Sequence, residues 1–250
     1  MAIIGNGILD GFSGRVGPVV GYWRRGRWCV RAHVPHIRDA RTEAQLVQRS
    51  RFKAMILFAS PATAVLRLGL HHEADRLGLT EGNVFLRMNH SSFAPQGGGV
   101  DYAALRFSKG GLPNVDFLGA WTDDGRTARV FWTKNMLSAR ASNDDRVAVY
   151  AYCPALGQGV AVEAVRHARQ LRFLMPDGWA AGEVHLWGFC VDRTGQASPT
   201  AYLGQLQAGE GPATAAPEGG GEDGESNIWL EINPVRSLEE KIFGQVENSS

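Results

Sequence analysis

Past Pro95-Gln-Gly-Gly-Gly99 the apolar residues change from a helical to an alternating period, and this change constrains the fold more than any other feature. The alternating runs are Ala104–Ser108, Val115–Thr122, Thr127–Thr133, Arg146–Cys153, Gly159–Ala164, Gln170–Met175, Glu183–Val191 and Ala201–Gln207. Gly-, Pro- and Asp-rich turns separate them at short intervals, the pattern of an all-β sandwich. Thr127-Ala-Arg-Val-Phe-Trp132 places a tryptophan where such a sandwich buries one.

Upstream the pattern is different. Gly7, Gly11, Gly14, Gly17 and Gly21 recur at intervals too irregular for collagen and too glycine-dense for a helix, so tight turns and close backbone packing are expected. Val19–Trp23 and Arg27–Val34 read as two strands joined at Arg24-Arg25-Gly26. Thr42-Glu-Ala-Gln45 is a capping box, opening a helix that gathers Leu46, Phe52, Ile56 and Leu57 on one side. Ser60-Pro61 starts a second helix running to about Leu77, and Thr80 caps a third through Val84, Phe85, Leu86 and Met88.

The expected fold class is therefore α+β: an N-terminal β-hairpin and short helical section, followed by an antiparallel β-sandwich. The expected divisions are a basic glycine-rich arm with hairpin and helices over 1–95 and a sandwich over 100–207. A flexible acidic linker over 208–227 and a C-terminal strand and helix over 228–250 follow.

Charge is unevenly spread along a chain whose net charge is only +1. Up to Lys53 ten basic residues face three acidic ones, and from Gln207 onward nine acidic residues face two basic ones. The two ends thus carry opposite charges of similar size and can pair within a chain or between copies. The N-terminus has no secretory pattern and no stretch has the length of an apolar span, so synthesis in the cytoplasm without a signal peptide is expected. Release in a particle is compatible with that, and no membrane partner is expected. Three widely spaced cysteines do not form a disulfide framework.

Clusters with chemical potential are few. His71-His72-Glu73-x-Asp75 lacks the second histidine of a zincin helix, and adjacent helical histidines diverge by about 100°. Cys29 and His33 share a strand face without further ligands, and Cys153 and Cys190 read as buried free thiols close together on neighbouring strands. Gly-Phe-Ser13-Gly lacks the spacing of a nucleophile elbow. Asp123-Asp124-Gly125 and Asn143-Asp144-Asp145 are turn sequences, too poor in oxygen ligands for calcium. No catalytic, cofactor-binding or metal-ligating residue is assigned, and no cofactor is expected.

The contact residues singled out are Tyr22, Trp23, Arg24, Arg25, Arg27, Trp28 and Arg31. Their arginines and rings suit either a protein partner, self-association included, or nucleic acid held through phosphates and stacked bases. A third reading, a carbohydrate- or surface-binding module, depends on exposure of Trp121, Trp179 and Trp187.

Two stretches carry a family resemblance: Gly7-Ile-Leu-Asp-Gly-Phe-Ser-Gly-Arg-Val-Gly-Pro-Val-Val-Gly21, with Arg41–Phe52 downstream, and Val100–Pro113. Together they resemble an uncharacterised family abundant in Bacteroidetes, domain of unknown function 6266, over roughly Met1 to Gln207. The layout also resembles, more loosely, prophage-borne proteins with a glycine-rich basic start and sandwich domains. Gly182–Asp192 and Gly195–Ser198 are similar to the end of a fibronectin-III-type sandwich. These resemblances imply a fibronectin-III/Ig-like sandwich in a non-enzymatic structural, assembly or binding protein, phage- or prophage-derived, and no specific activity.

Overall fold

A computed structural model describes residues 3–4, 12–24, 27–35, 41–94, 99–133 and 140–209. The linker and tail expected over 208–250 lie outside these residues apart from Ala208 and Gly209. The chain divides into two compact units, Met1–Leu46 and Val47–Ser250.

The first unit is a four-stranded antiparallel sheet in the order β1 (Ile3–Ile4), β2 (Phe12–Val16), β3 (Val19–Arg24), β4 (Arg27–Ala32). The expected hairpin is β3–β4, and β1 and β2 extend it. Gly17, at φ 56°, and Pro18 form the two-residue loop between β2 and β3, a place where glycine takes a left-handed backbone without a steric penalty. At Gly21 the Phe12 ring lies across the backbone, so close that a Cβ would sit 2.9 Å from ring carbons. The glycine-rich stretch is thus partly strand, and its close packing at Gly21 brings both the carbonyl oxygen and the ring of Phe12 against the backbone.

The second unit has three layers. Helices α1 (Glu43–Ala59), α2 (Thr63–Leu77) and α3 (Glu81–Asn89) form one. A sheet β11-β10-β7-β8 is the middle, and a sheet β12-β5-β6-β9 the third. The strands are β5 (Asp116–Thr122), β6 (Thr127–Thr133), β7 (Arg146–Cys153), β8 (Gln158–Val165), β9 (Gln170–Leu174), β10 (His185–Val191), β11 (Ala201–Gln205) and β12 (Gln207–Ala208). The chain changes sheet between β6 and β7, on either side of β9, and between β11 and β12. All pairs are antiparallel except β12 with β5. This is an antiparallel sandwich of the fibronectin-III/Ig-like class within an α+β chain, with one short parallel pair added.

The middle layer explains the long apolar run of β7. Val147, Val149, Ala151 and Cys153 enter the core between the sheets, with Trp132, Phe173 and Leu186. Ala148, Tyr150 and Tyr152 enter a second core with Val65, Leu66 and Leu70 of α2 and Phe85 of α3. Strands covered on both faces lose their alternation of apolar and polar residues. The helices therefore belong with the sandwich, and the division expected near residue 95 does not match the packing. Phe93 is buried in the helix–sheet core and bridges Val100, and residues 95–98 of the expected linker lie outside the described residues.

Local signals set the helix ends. Gln45 N donates to Thr42 Oγ1 at 3.4 Å and Asn83 N to Thr80 Oγ1 at 3.3 Å. Past α2, Gly78 N bonds to Asp75 O and Leu79 N to Ala74 O. Ala104–Ser108, expected as a strand, is a loop. Its period-2 burial is real at Leu105 and Phe107, but its backbone is held by side chains. Arg106 N donates to Asn89 Oδ1 (2.7 Å), and Phe107 N and Ser108 N both donate to Thr200 Oγ1 (2.8 Å each).

Candidate interaction surface

The contact residues chosen from sequence lie on β3 and β4, and register sorts them onto two faces. Directly paired residues project to the same side and neighbours along a strand to opposite sides. Trp23 pairs with Trp28, Gly21 with Val30, and Val19 with both Ala32 and Val16. These form one apolar face, completed by Phe12, whose ring meets that of Trp28 edge-on at 5.7 Å while its carbonyl accepts from Trp28 Nε1 at 3.0 Å. On the other face Arg24 pairs with Arg27, Tyr22 with Cys29, and Val20 with both Arg31 and Arg15. Arg25 lies outside the described residues.

The sequence places rings and arginines side by side, but the sheet separates them: only Tyr22 shares the basic face. The apolar face is open, with Trp23 59% and Trp28 40% exposed and Val16 and Val30 alike. Among the described residues twelve large apolar ones stand exposed; Val16, Trp23, Trp28 and Val30 are on this sheet, and Leu46, Phe52, Ile56 and Leu57 are on α1. Proteins rarely leave such concentrations of apolar surface in water without a partner. On α1 the side that the sequence marks as apolar, Leu46, Phe52, Ile56 and Leu57, is the exposed one, while Met55 and Phe58 supply the core. The one-residue offset that separates these sides is too fine to read from apolar spacing alone.

The tryptophans of the carbohydrate reading do not form a platform. Trp187 and Trp179 are buried, their indole N–H groups donating to Tyr102 O and Gln158 Oε1, and Trp121 is half-buried against Phe131. A sandwich buries such rings when it can also satisfy their N–H.

The polar clusters serve local structure. His71 faces Asp75 and Glu81, His72 meets Thr194 O, and Glu73 accepts from Arg76 and Lys109. The hydrogen bonds from Arg76 and then Lys109 hold the Glu73 carboxyl down at about 2. The three neighbours thus point to three different places. Asp124 Oδ1 accepts from the backbone N–H of Thr127 and Arg126, which keeps its carboxyl well below the usual range, while Asp123 pairs with Arg129. Cys29 is half-buried near the basic face, and His33 lies beyond the end of its strand. Among the described residues no group of three or more potential metal ligands comes together.

Cys153 and Cys190 are buried and free, as expected, but not neighbours. Their strands are adjacent and antiparallel, and Cys190 pairs with Val147, six residues from Cys153, or about 20 Å along the strand. Burial pushes the Cys190 thiol up to about 11, which suppresses the reactive thiolate at neutral pH.

Sequence reading missed a buried ion pair. Arg166, in the turn after β8, and Asp145, just before β7, are both buried, with Nε 3.3 Å from Oδ2. It braces one end of the sandwich, since Arg166 Nη2 also donates to Pro113 O at 2.6 Å and Trp132 Nε1 to Arg166 O at 2.9 Å. Both residues lie in polar turns, where sequence gives no sign of burial.

Among the described residues no single helix is long and apolar enough to cross a membrane. No curated protein matches the chain. Among solved structures it is similar to the fn3 domain of the human collagen alpha-1(XX) chain, with 18% identity over 43% of this chain and 95% of that one and a TM-score of 0.31. The Family of unknown function (DUF6266) is matched over residues 11–204, from the strand sheet with its two opposed faces to the last full strand of the sandwich, and the chain belongs to that family.

Proposed function

We propose that this protein is a non-enzymatic assembly or binding protein that self-associates through the apolar face of its N-terminal sheet and presents the sandwich as an interaction module. The observation that carries this reading is the open face bearing Val16, Trp23, Trp28 and Val30. A sheet with one apolar face gains stability by stacking a second layer about 10 Å away. A second copy suits that role because Arg15, Arg24, Arg27 and Arg31 project to the opposite side. Two apolar faces can then meet about a two-fold axis without bringing like charges together. The prophage-like layout supports a particle-building role, and the local structural use of each polar cluster supports a function without catalysis.

Light scattering on the full chain tests the reading. A dimer or larger species is expected at micromolar concentration, with Trp23→Ser/Trp28→Ser at least tenfold weaker in association. A wild-type protein that stays monomeric at 100-fold higher concentration would sink it.

Nucleic acid is the second reading, favoured by the four arginines gathered on one face with Tyr22. Four phosphate contacts give a slope of roughly −3 in log K against log salt. Fluorescence anisotropy with a labelled single strand should then show binding that weakens at that slope and is lost in Arg24→Ala/Arg27→Ala. Binding indifferent to salt or to those substitutions ends this reading.

A further inference from the structure

Helix α1 is apolar on two sides. Met55 and Phe58 enter the helix–sheet core, whereas Phe52, Ile56 and Leu57 are 52%, 41% and 48% exposed. Phe52 and Ile56 are one turn apart on the same face, with Leu57 beside them. With His90 they line a groove of about 700 Å³ whose rim carries Arg49, Arg51 and Lys53. A surface helix ordinarily has a single apolar stripe, and one apolar on two sides needs cover on both.

The chain holds a segment of complementary chemistry. Ile228, Trp229, Leu230 and Ile232, then Leu238, Ile242 and Phe243, are interspersed with Glu231, Glu239 and Glu240. From Glu210 to the end nine acidic residues face two basic ones, the opposite of the groove's rim. Eighteen residues lie between Gly209 and Ile228, a reach of up to about 65 Å. A compact unit of about 200 residues is roughly 40 Å across, so every part of its surface lies within reach. Tethering supplies an effective concentration near the millimolar range, enough for a short segment of modest intrinsic affinity.

We propose that residues Ile228–Phe243 dock in the α1 groove of the same chain, their apolar side chains covering Phe52, Ile56 and Leu57 and their carboxylates facing Arg49, Arg51 and Lys53. This inference does not depend on self-association through the N-terminal sheet.

Trypsin tests it on the full-length protein, because Arg236 and Lys241 lie inside the proposed segment. Cleavage at these two sites, followed by intact mass, is expected to be at least tenfold slower than in a free peptide spanning 226–250. Ile56→Asp should restore nearly the peptide rate, and since Ile56 is already exposed the fold should survive, which an unchanged thermal transition verifies. Glu239→Gln/Glu240→Gln should raise the rate by the reciprocal route, while Trp23→Ser/Trp28→Ser should leave it slow. Cleavage of the wild-type chain at the peptide rate overturns the proposal, as does equal protection in Ile56→Asp. Protection that appears only as protein concentration rises assigns the groove to the tail of a second copy and overturns the same-chain assignment.

Discussion

Asp145→Ala is expected to destabilise the protein by about 3–5 kcal/mol, the usual cost of leaving one member of a buried ion pair without its partner. Arg166 is fully buried and Asp145 is 3% exposed. A guanidinium cannot shed its proton to escape the site. Arg166 Nη2 also donates to Pro113 O, a neutral carbonyl that accepts a hydrogen bond and brings no counter-charge of its own. The substitution also strips Ser142 N–H of its acceptor, Asp145 Oδ2 at 2.8 Å. Asp145→Asn should fall between wild type and alanine, because it can keep an oxygen for Ser142 while losing the charge. Asp145→Ala/Arg166→Met should cost less than the sum of the two single changes, since it removes the stranded charge as well as its partner. Urea unfolding reads all of these as a fall in midpoint at constant slope. A loss below about 1 kcal/mol for Asp145→Ala would show that water reaches Arg166 and that the pair is not a brace.

The sandwich was legible wherever one face of a strand is buried and the other is not. Thr127–Thr133 alternates because Ala128, Val130 and Trp132 face the inter-sheet core, and the observed β6 has those same bounds. The apolar, β-branched and aromatic content of Arg146–Cys153 marks a strand, but that content alone does not show a second layer on the sheet. That inference requires knowing that Tyr150 and Trp187 meet Phe58 and Phe107, contacts between elements 40 to 130 residues apart. Phe12–Val16 was hidden by Gly14 and its glycine-rich surroundings, since glycine weakens the strand signal even where the backbone pairs. Ala104–Ser108 failed the other way: it alternates like a strand, yet Asn89 and Thr200 side chains occupy the hydrogen bonds a neighbouring strand would make. For the interaction surface, sequence located the right segment and blurred its chemistry. Tyr22-Trp23-Arg24 and Arg27-Trp28 look like one mixed patch until strand pairing assigns Trp23 and Trp28 to one side and Arg24 and Arg27 to the other. The exposed stripe of α1 was visible as apolar residues, but which stripe meets the sheet is decided by Met55 and Phe58, and only packing reveals that.

Trp187→Ala should be about as damaging, also about 3–5 kcal/mol, and it tests whether helices and sandwich are one cooperative structure. The indole projects from β10 toward the helices and is wholly buried, with ring centroids of Phe107 at 4.9 Å, Tyr202 at 5.7 Å and Tyr150 at 6.0 Å. Phe58 of α1 approaches it edge-on at 6.4 Å. Alanine would leave a large cavity whose walls come from a helix, a loop and three strands, so no single movement can close it. It would also deprive Tyr102 O of the indole N–H at 2.9 Å. Trp187→Phe keeps most of the ring contact and loses that bond, and should cost less than half as much. Among the described residues, the apolar faces of α2 and α3 enter the core that they share with β7 and β10. Helical circular dichroism and near-ultraviolet signals should therefore shift together in Trp187→Ala, as a single transition. If the helical signal were lost first, with the sandwich transition unmoved, the two cores would be energetically separate and the division expected near residue 95 would return as a boundary of stability, whatever the packing.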